Sequence, residues 1–153
     1  MGVIIMVQDT AVLLSIRPEW TRLILRGDKT LEIRRNHPKL ELPFRCYVYQ
    51  CLPRYGDWNA RDGRVVAEFV CDEIRHYSMP QSKEASIPLR DFWQSAMLKT
   101  SALYEYSNGW THDLYGWHIS ALTVYDKPLN LSEFTRPDGS PVKRPPQSWG
   151  YVR

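Results

Sequence analysis

Apolar residues fall in short blocks whose spacing changes from one block to the next. Leu13-Leu14-Ser15-Ile16 is apolar without alternation, which predicts a first strand buried on both sides. Pro18 suits the first position of a helix, where its missing N–H costs nothing. Trp20, Leu23 and Ile24 then share one face at i, i+3 and i+4. Gly27 supplies the left-handed residue that ends such a helix, so a helix is expected from Pro18 to Arg26 with Arg22 and Arg26 off its apolar stripe. From Thr30 to Arg34 the period becomes two. Leu31 and Ile33 point one way, and Thr30, Glu32 and Arg34 the other, as in a half-buried strand with a polar outer face.

Further on, Arg45 to Leu52 is expected as a strand and Pro53 to Gly63, rich in Gly, Asp and Asn, as a loop. Arg64 to Cys71 has the strongest strand pattern, Val65, Ala67, Phe69 and Cys71 on one face and Val66 and Val70 on the other. Glu68 stands among apolar residues on that second face. It needs a sheet edge or a buried partner, for which Lys29 or an arginine would serve. Helical spacing follows Pro88 over Leu89 to Met97, and a second short helix is expected over Ala102 to Ser107. Tyr115 to Tyr125 is a long strand that Pro128 should stop. Leu131 to Phe134 suits one helical turn, and the prolines of Lys143-Arg144-Pro145-Pro146 hold that segment extended. Trp149 to Val152 can form a last strand. The order of elements predicts an α+β fold, a small curled mixed sheet or barrel with flanking helices.

Composition narrows the class. A chain of 153 residues, 43% hydrophobic and 24% charged, fits one ordinary globular domain. No apolar run approaches the ~20 residues of a membrane span, so a cytoplasmic protein without membrane association is expected. Met6 is a second candidate start, which would leave residues 1–12 as a loose extension. Three cysteines without a Cys-x-x-Cys pair, and histidines without His-Glu-x-x-His spacing, give no disulfide frame and no reason to expect a metal or cofactor.

Charge changes the picture more. Residues 17–39 hold seven Lys/Arg against three Asp/Glu and residues 136–153 hold four against one, so a net +3 chain carries two basic segments on an acidic remainder. An anion-binding groove needs such a distribution, and a solvated basic face has it equally. Between Lys29 and Arg34 the same uncertainty recurs: the side chains could line a site, or pair with neighbours on an open sheet for roughly 0.2–1 kcal/mol.

Several stretches in the same order resemble the ASCH family of the PUA-like superfamily. They are Leu14-Ser15-Ile16-Arg17-Pro18 and Gly27-x-Lys29-x-x-Glu32-x-Arg34, which fits that family's Gly-x-Lys-x-x-x-x-Arg core. The strand from Val65 to Val70, Tyr115-Gly116-Trp117-His118-Ile119-Ser120 and Pro145-Pro146-Gln147-Ser148-Trp149 also look like phage- and prophage-type members. The resemblance implies a pseudo-barrel whose cleft is lined by the core motif, acting on RNA or nucleotides. One subgroup hydrolyses acetylated cytidine with a lysine, a threonine three residues later and a distant glutamate. Here Glu32 stands in the threonine's place, which disfavours that amidohydrolase chemistry; Glu105 is the nearest candidate for the distant acid.

Three functions are therefore weighed. The first is a nucleic-acid-binding domain, RNA preferred, with Arg22, Arg26, Lys29, Arg34, Arg35, Lys143 and Arg144 on phosphates and Trp110 stacking a base. The second adds metal-independent ribonuclease chemistry, Glu32 as base beside Lys29 and Arg34. The third is a modified nucleoside held or hydrolysed in the cleft, with Tyr47, Trp117 or His118 on its base. His118 alternates with apolar residues, and Trp20 follows helical spacing, so both also suit the core.

Overall fold

The computed structural model describes residues 8–78 and 94–153. Among the described residues six strands form one mixed sheet, with two complete helices and the helical residues 94–96 beside it. In chain order these are β1 (Ala11–Ile16), α1 (Pro18–Leu25), β2 (Leu31–Arg34), β3 (Phe44–Gln50), β4 (Arg64–Tyr77), α2 (Thr100–Tyr106), β5 (Leu114–Leu129) and β6 (Trp149–Val152), with a 3-10 turn at Leu131–Glu133. The fold is α+β. Of the helix expected over Leu89 to Met97, residues 94–96 are helical and 89–93 lie outside the described residues.

The strand order is β2-β5-β4-β3-β1-β6, antiparallel throughout except for the parallel pair β1/β3. β1 lies between β3 and β6 and is buried on both faces. Val12, Leu14 and Ile16 pack with Phe44, Phe69 and Trp117, while Ala11 and Leu13 pack on the other face with Val65, Phe134 and Val152. Its unbroken apolar pattern has that cause.

Two strands run longer than their patterns suggest. β4 continues past Cys71 through the polar Asp72 to Tyr77, across a bulge between Cys71 and Ile74 that lets it pair with residues 114–117 of β5. β5 passes through Pro128 to Leu129 instead of stopping. Among the described residues only 115–118 pair with β2, and the Ile119 amide still donates to the Thr30 carbonyl; no described strand pairs with that edge further on, where a residue without an N–H is tolerated. Glu68 on β4 finds its partner in the arginine of the neighbouring strand: Arg45 Nε lies 3.2 Å from it, and the Tyr125 hydroxyl donates to it at 3.1 Å.

The sheet curls until its two edges meet. Arg34, on edge strand β2, donates from Nη1 to the Ser148 carbonyl (3.2 Å) and hydroxyl (2.9 Å), just before edge strand β6. Its Nη2 reaches the Ser15 carbonyl of β1 at 3.0 Å. Nearby, Trp149 Nε1 donates to the Asn36 side chain at 2.8 Å, and the rings of Trp117 and Trp149 meet edge to face, 5.8 Å between centroids.

Candidate functional site

A cleft of about 380 Å³ opens at this seam. Its floor and walls take Ser15, Ile16 and Arg17 from the end of β1, Trp20 from α1, Lys29 from the turn, and Glu32 and Arg34 from β2. Leu98, Ala102 and Tyr106 close one side, and Gln147 and Ser148 the other.

Local structure places Lys29 here. With α1 ended, Gly27 turns at φ +81° and the amides of Asp28 and Lys29 both donate back to the Leu23 carbonyl. No atom crowds a Cβ built on Gly27, so the position requires glycine for its backbone angle alone. The lysine side chain is 2% exposed; Nζ donates to the Ala96 carbonyl at 2.6 Å and lies 5.6 Å from the centre of the Trp20 ring. Its ammonium stands 3.6 Å from Glu32 Oε2, an ion pair slightly too long for a hydrogen bond.

Glu32 and Arg34 are buried too, so β2 has no solvent-facing side. The expectation of a half-buried strand with an outer polar patch is corrected: period two correctly separates the faces, yet here the polar face turns inward to the cleft. Arg34 Nε donates to Glu32 Oε1 at 3.1 Å, so with its bonds to Ser15 and Ser148 the guanidinium uses four of its five N–H groups on the protein. Arg34 is a brace at the seam with one donor in reserve. Glu32 Oε2 is buried and accepts no hydrogen bond among the described residues.

The trio therefore carries one net positive charge out of bulk water when Lys29 is protonated. Burial pushes the Lys29 ammonium below its ordinary pKa, and the Glu32 carboxylate opposes that shift without cancelling it. Burial also raises the phenol of Tyr106 and the thiol of Cys51, so both walls stay neutral near pH 7. The cleft thus sets a carboxylate and two cations beside Trp20 and Tyr106, with Glu32 Oε2 closed off from solvent and without a hydrogen bond among the described residues.

Of the residues expected at the site, Lys29, Glu32 and Arg34 come together in the cleft. Arg22 and Arg26 are exposed on α1, Arg26 in an ion pair with Asp28 at 2.8 Å. Arg35 points the other way, donating to the Tyr106 carbonyl at 2.7 Å over that residue's ring. Lys143 and Arg144 are exposed beyond Gln147, and Arg144 lines a separate hollow. Glu105 is exposed on α2 and does not line the cleft. Trp110 is half-buried against Tyr104, centroids 5.8 Å apart. The three side chains considered for a nucleoside base also lie elsewhere. Trp117 is fully buried in the main core, Tyr47 packs on Phe134, and His118 bonds Asp72 at 2.7 Å.

Trp20 does both: it packs against the main core, as its helical spacing suggests, and its other side lines the cleft. Arg17, Tyr106, Gln147 and Ser148 belong to the cleft without any signal from spacing. The meeting of the two sheet edges brings Gln147 and Ser148 there, whereas Arg17 comes from the junction of β1 and α1 and Tyr106 from α2.

An ASCH domain sequence model matches residues 14–119, more than half of the chain. No curated protein matches it. Among solved structures, ASCH from Zymomonas mobilis is similar at TM-score 0.67 and 21% identity, covering 94% of this chain and 87% of that one. Its Tyr-to-Phe mutant gives 0.67 and 21%, covering 94% and 90%. Its Ser-to-Ala mutant gives 0.69 and 20%, covering 94% and 88%. At such identities the likeness is one of fold, a curled α+β pseudo-barrel. With the domain model spanning Leu14 to Ile119, and so both Lys29 and Arg34, the chain belongs to the ASCH family.

Proposed function

We propose that this domain binds single-stranded RNA, one nucleotide entering the cleft while neighbouring phosphates rest on the arginines around it. The observation that carries this reading is the Lys29–Glu32–Arg34 trio, buried with a net positive charge between Trp20 and Tyr106. A cleft of about 380 Å³ is at the small end of ligand sites, which suits one splayed nucleotide and excludes a duplex. Glu32 Oε2 accepts no hydrogen bond among the described residues but is closed off from the cleft, so a ribose 2′-hydroxyl would reach it only as the carboxylate turns outward; that added bond, which deoxyribose cannot make, favours RNA. In a fluorescence-anisotropy titration over a salt series, single-stranded RNA should bind more tightly than DNA of the same sequence, with affinity falling as salt rises. No binding of either strand at low salt would refute the reading.

The same oxygen supports a second reading, a metal-independent ribonuclease. Glu32 Oε2 would take the 2′-hydroxyl proton as the 2′-oxygen attacks phosphorus and the 5′-oxygen leaves. Lys29, 3.6 Å away, would stabilise the charge growing on the phosphate. Cleavage of RNA in chelator that disappears in Glu32→Gln separates this from binding alone.

A further inference from the structure

Cys51, which lines the cleft, is also the first residue beyond β3, and the chain leaves the sheet there to form the loop of residues 52–63. The base of this loop is fastened. The Gly63 amide donates to the Gln50 carbonyl at 2.8 Å and the Cys51 amide to Ile16 at 2.8 Å. Gln50, itself buried, accepts from Thr21 of α1 at 2.6 Å and donates to Asp62 at 2.8 Å, and Asp62 in turn accepts from the Asn59 amide at 2.8 Å. The returning half of the loop is thus tied through buried polar groups to the helix that carries Trp20.

The outgoing half is not covered in this way. Tyr55 is 90% exposed and Trp58 67%, the most open large apolar side chains among the described residues. Arg54 and Arg61 flank them, exposed and without an ion pair among the described residues. Two large rings held in water on an anchored loop forgo the burial that a solitary chain would give them. Tyr55 is four residues from the cleft wall at Cys51, about 14 Å of chain at most.

We infer that this loop is a second nucleic-acid contact: Tyr55 and Trp58 stack bases of a single strand that leaves the cleft past Arg17, and Arg54 and Arg61 meet its phosphates. The inference rests on the single-stranded RNA reading of the cleft and adds the path of the strand. Aromatic faces accept any base, so the loop lengthens the footprint without adding sequence preference. The anchoring through Gln50 and Asp62 fixes the returning half of the loop, beginning at Asn59 next to Trp58, and limits the ordering that binding would require.

The test compares a labelled single-stranded RNA octamer with a dinucleotide, for the intact chain and for Trp58→Ala, Tyr55→Ala and Trp58→Phe. Stacking of ~1–3 kcal/mol per base predicts octamer affinity roughly tenfold lower in each alanine variant. Trp58→Phe, which keeps a ring, should retain most of it, and dinucleotide binding should not change. Both residues are exposed, so unaltered thermal melting is expected and checks the fold. If the intact chain binds neither RNA, the cleft reading itself fails. If it binds the octamer and the alanine variants bind it equally well, only the loop inference is overturned. Self-association of the intact chain that Trp58→Ala abolishes, with octamer affinity unchanged, would overturn it in favour of a contact between two copies.

Discussion

Two hollows flank the segment from Pro145 to Ser148, and they treat charge in opposite ways. On one side the cleft holds Lys29, Glu32 and Arg34 buried, each fixed by at least one neighbour within 3.6 Å. On the other, a hollow of about 520 Å³ sets Arg136 and Arg144 over an apolar floor of Leu13, Val142 and Val152, both arginines exposed. Buried charges act through placement. They are desolvated once, on folding, and stand in a fixed geometry, so they can favour one ligand shape over another. Exposed charges act through number. They attract any anion, and salt screens them.

The largest effect should come from the brace. Arg34→Met leaves Glu32 with only Lys29 and releases Ser15 and Ser148, a loss of about 3–5 kcal/mol for a broken buried pair. In a thermal melt this corresponds to a midpoint lower by about 10 °C. A fall of less than about 1 kcal/mol would make the seam independent of Arg34 and dissolve the contrast between the hollows.

A smaller effect distinguishes Lys29. Its folded pKa lies below its unfolded value of 10.5, because burial disfavours the charged form. Between those two values the unfolded chain binds the extra proton, so this lysine's contribution to stability rises with pH there, by at most about 1.4 kcal/mol per unit. Cys71, raised to about 12, and Tyr106, also raised, act in the opposite sense and lower stability as pH climbs past their ordinary values. The difference between the intact chain and Lys29→Met isolates the lysine: urea unfolding from pH 8 to 10.5 should show that difference growing with pH. A flat difference would mean that Lys29 titrates normally.

The smallest effect belongs to the open hollow. Arg144→Gln and Lys143→Gln should each change stability by less than about 0.5 kcal/mol. Each should still reduce the salt dependence of RNA binding by about 0.7 in the log–log slope, if that phosphate contact exists. An unchanged slope would remove the basic tail from the binding surface.

Most elements were legible in the sequence because they depend on neighbours within a few residues. Pro18 and Gly27 mark α1 to within one residue, and period two identifies Leu31 and Ile33 as one face of β2. The ends of β4 and β5 were not legible, since bulges at Cys71–Ile74 and Val65–Ala67 keep polar stretches in the sheet by pairing them with a distant strand. The site divided along the same line. Lys29, Glu32 and Arg34 lie close in sequence and form a recognisable motif, whereas Ser148 joins Arg34 across 114 residues. Periodicity also cannot tell an outward polar face from one turned into a cleft. Trp110 shows a related limit: a polar loop suggested an open ring, and its left-handed backbone at φ 61° instead turns it against Tyr104.

The seam that Arg34 closes has a consequence for how the domain would respond to its ligand. Binding site and closure are one structure, so local opening of β2 from Ser15 and Ser148 must also dismantle the cleft. A nucleotide bound there, as proposed, would then work as a latch. It recognises only the shut form and shifts the balance toward it by RT ln(1 + [L]/Kd). Amide hydrogen exchange at the seam should therefore slow on binding by the factor 1 + [L]/Kd, while amides that exchange through openings which leave the cleft intact keep their rate.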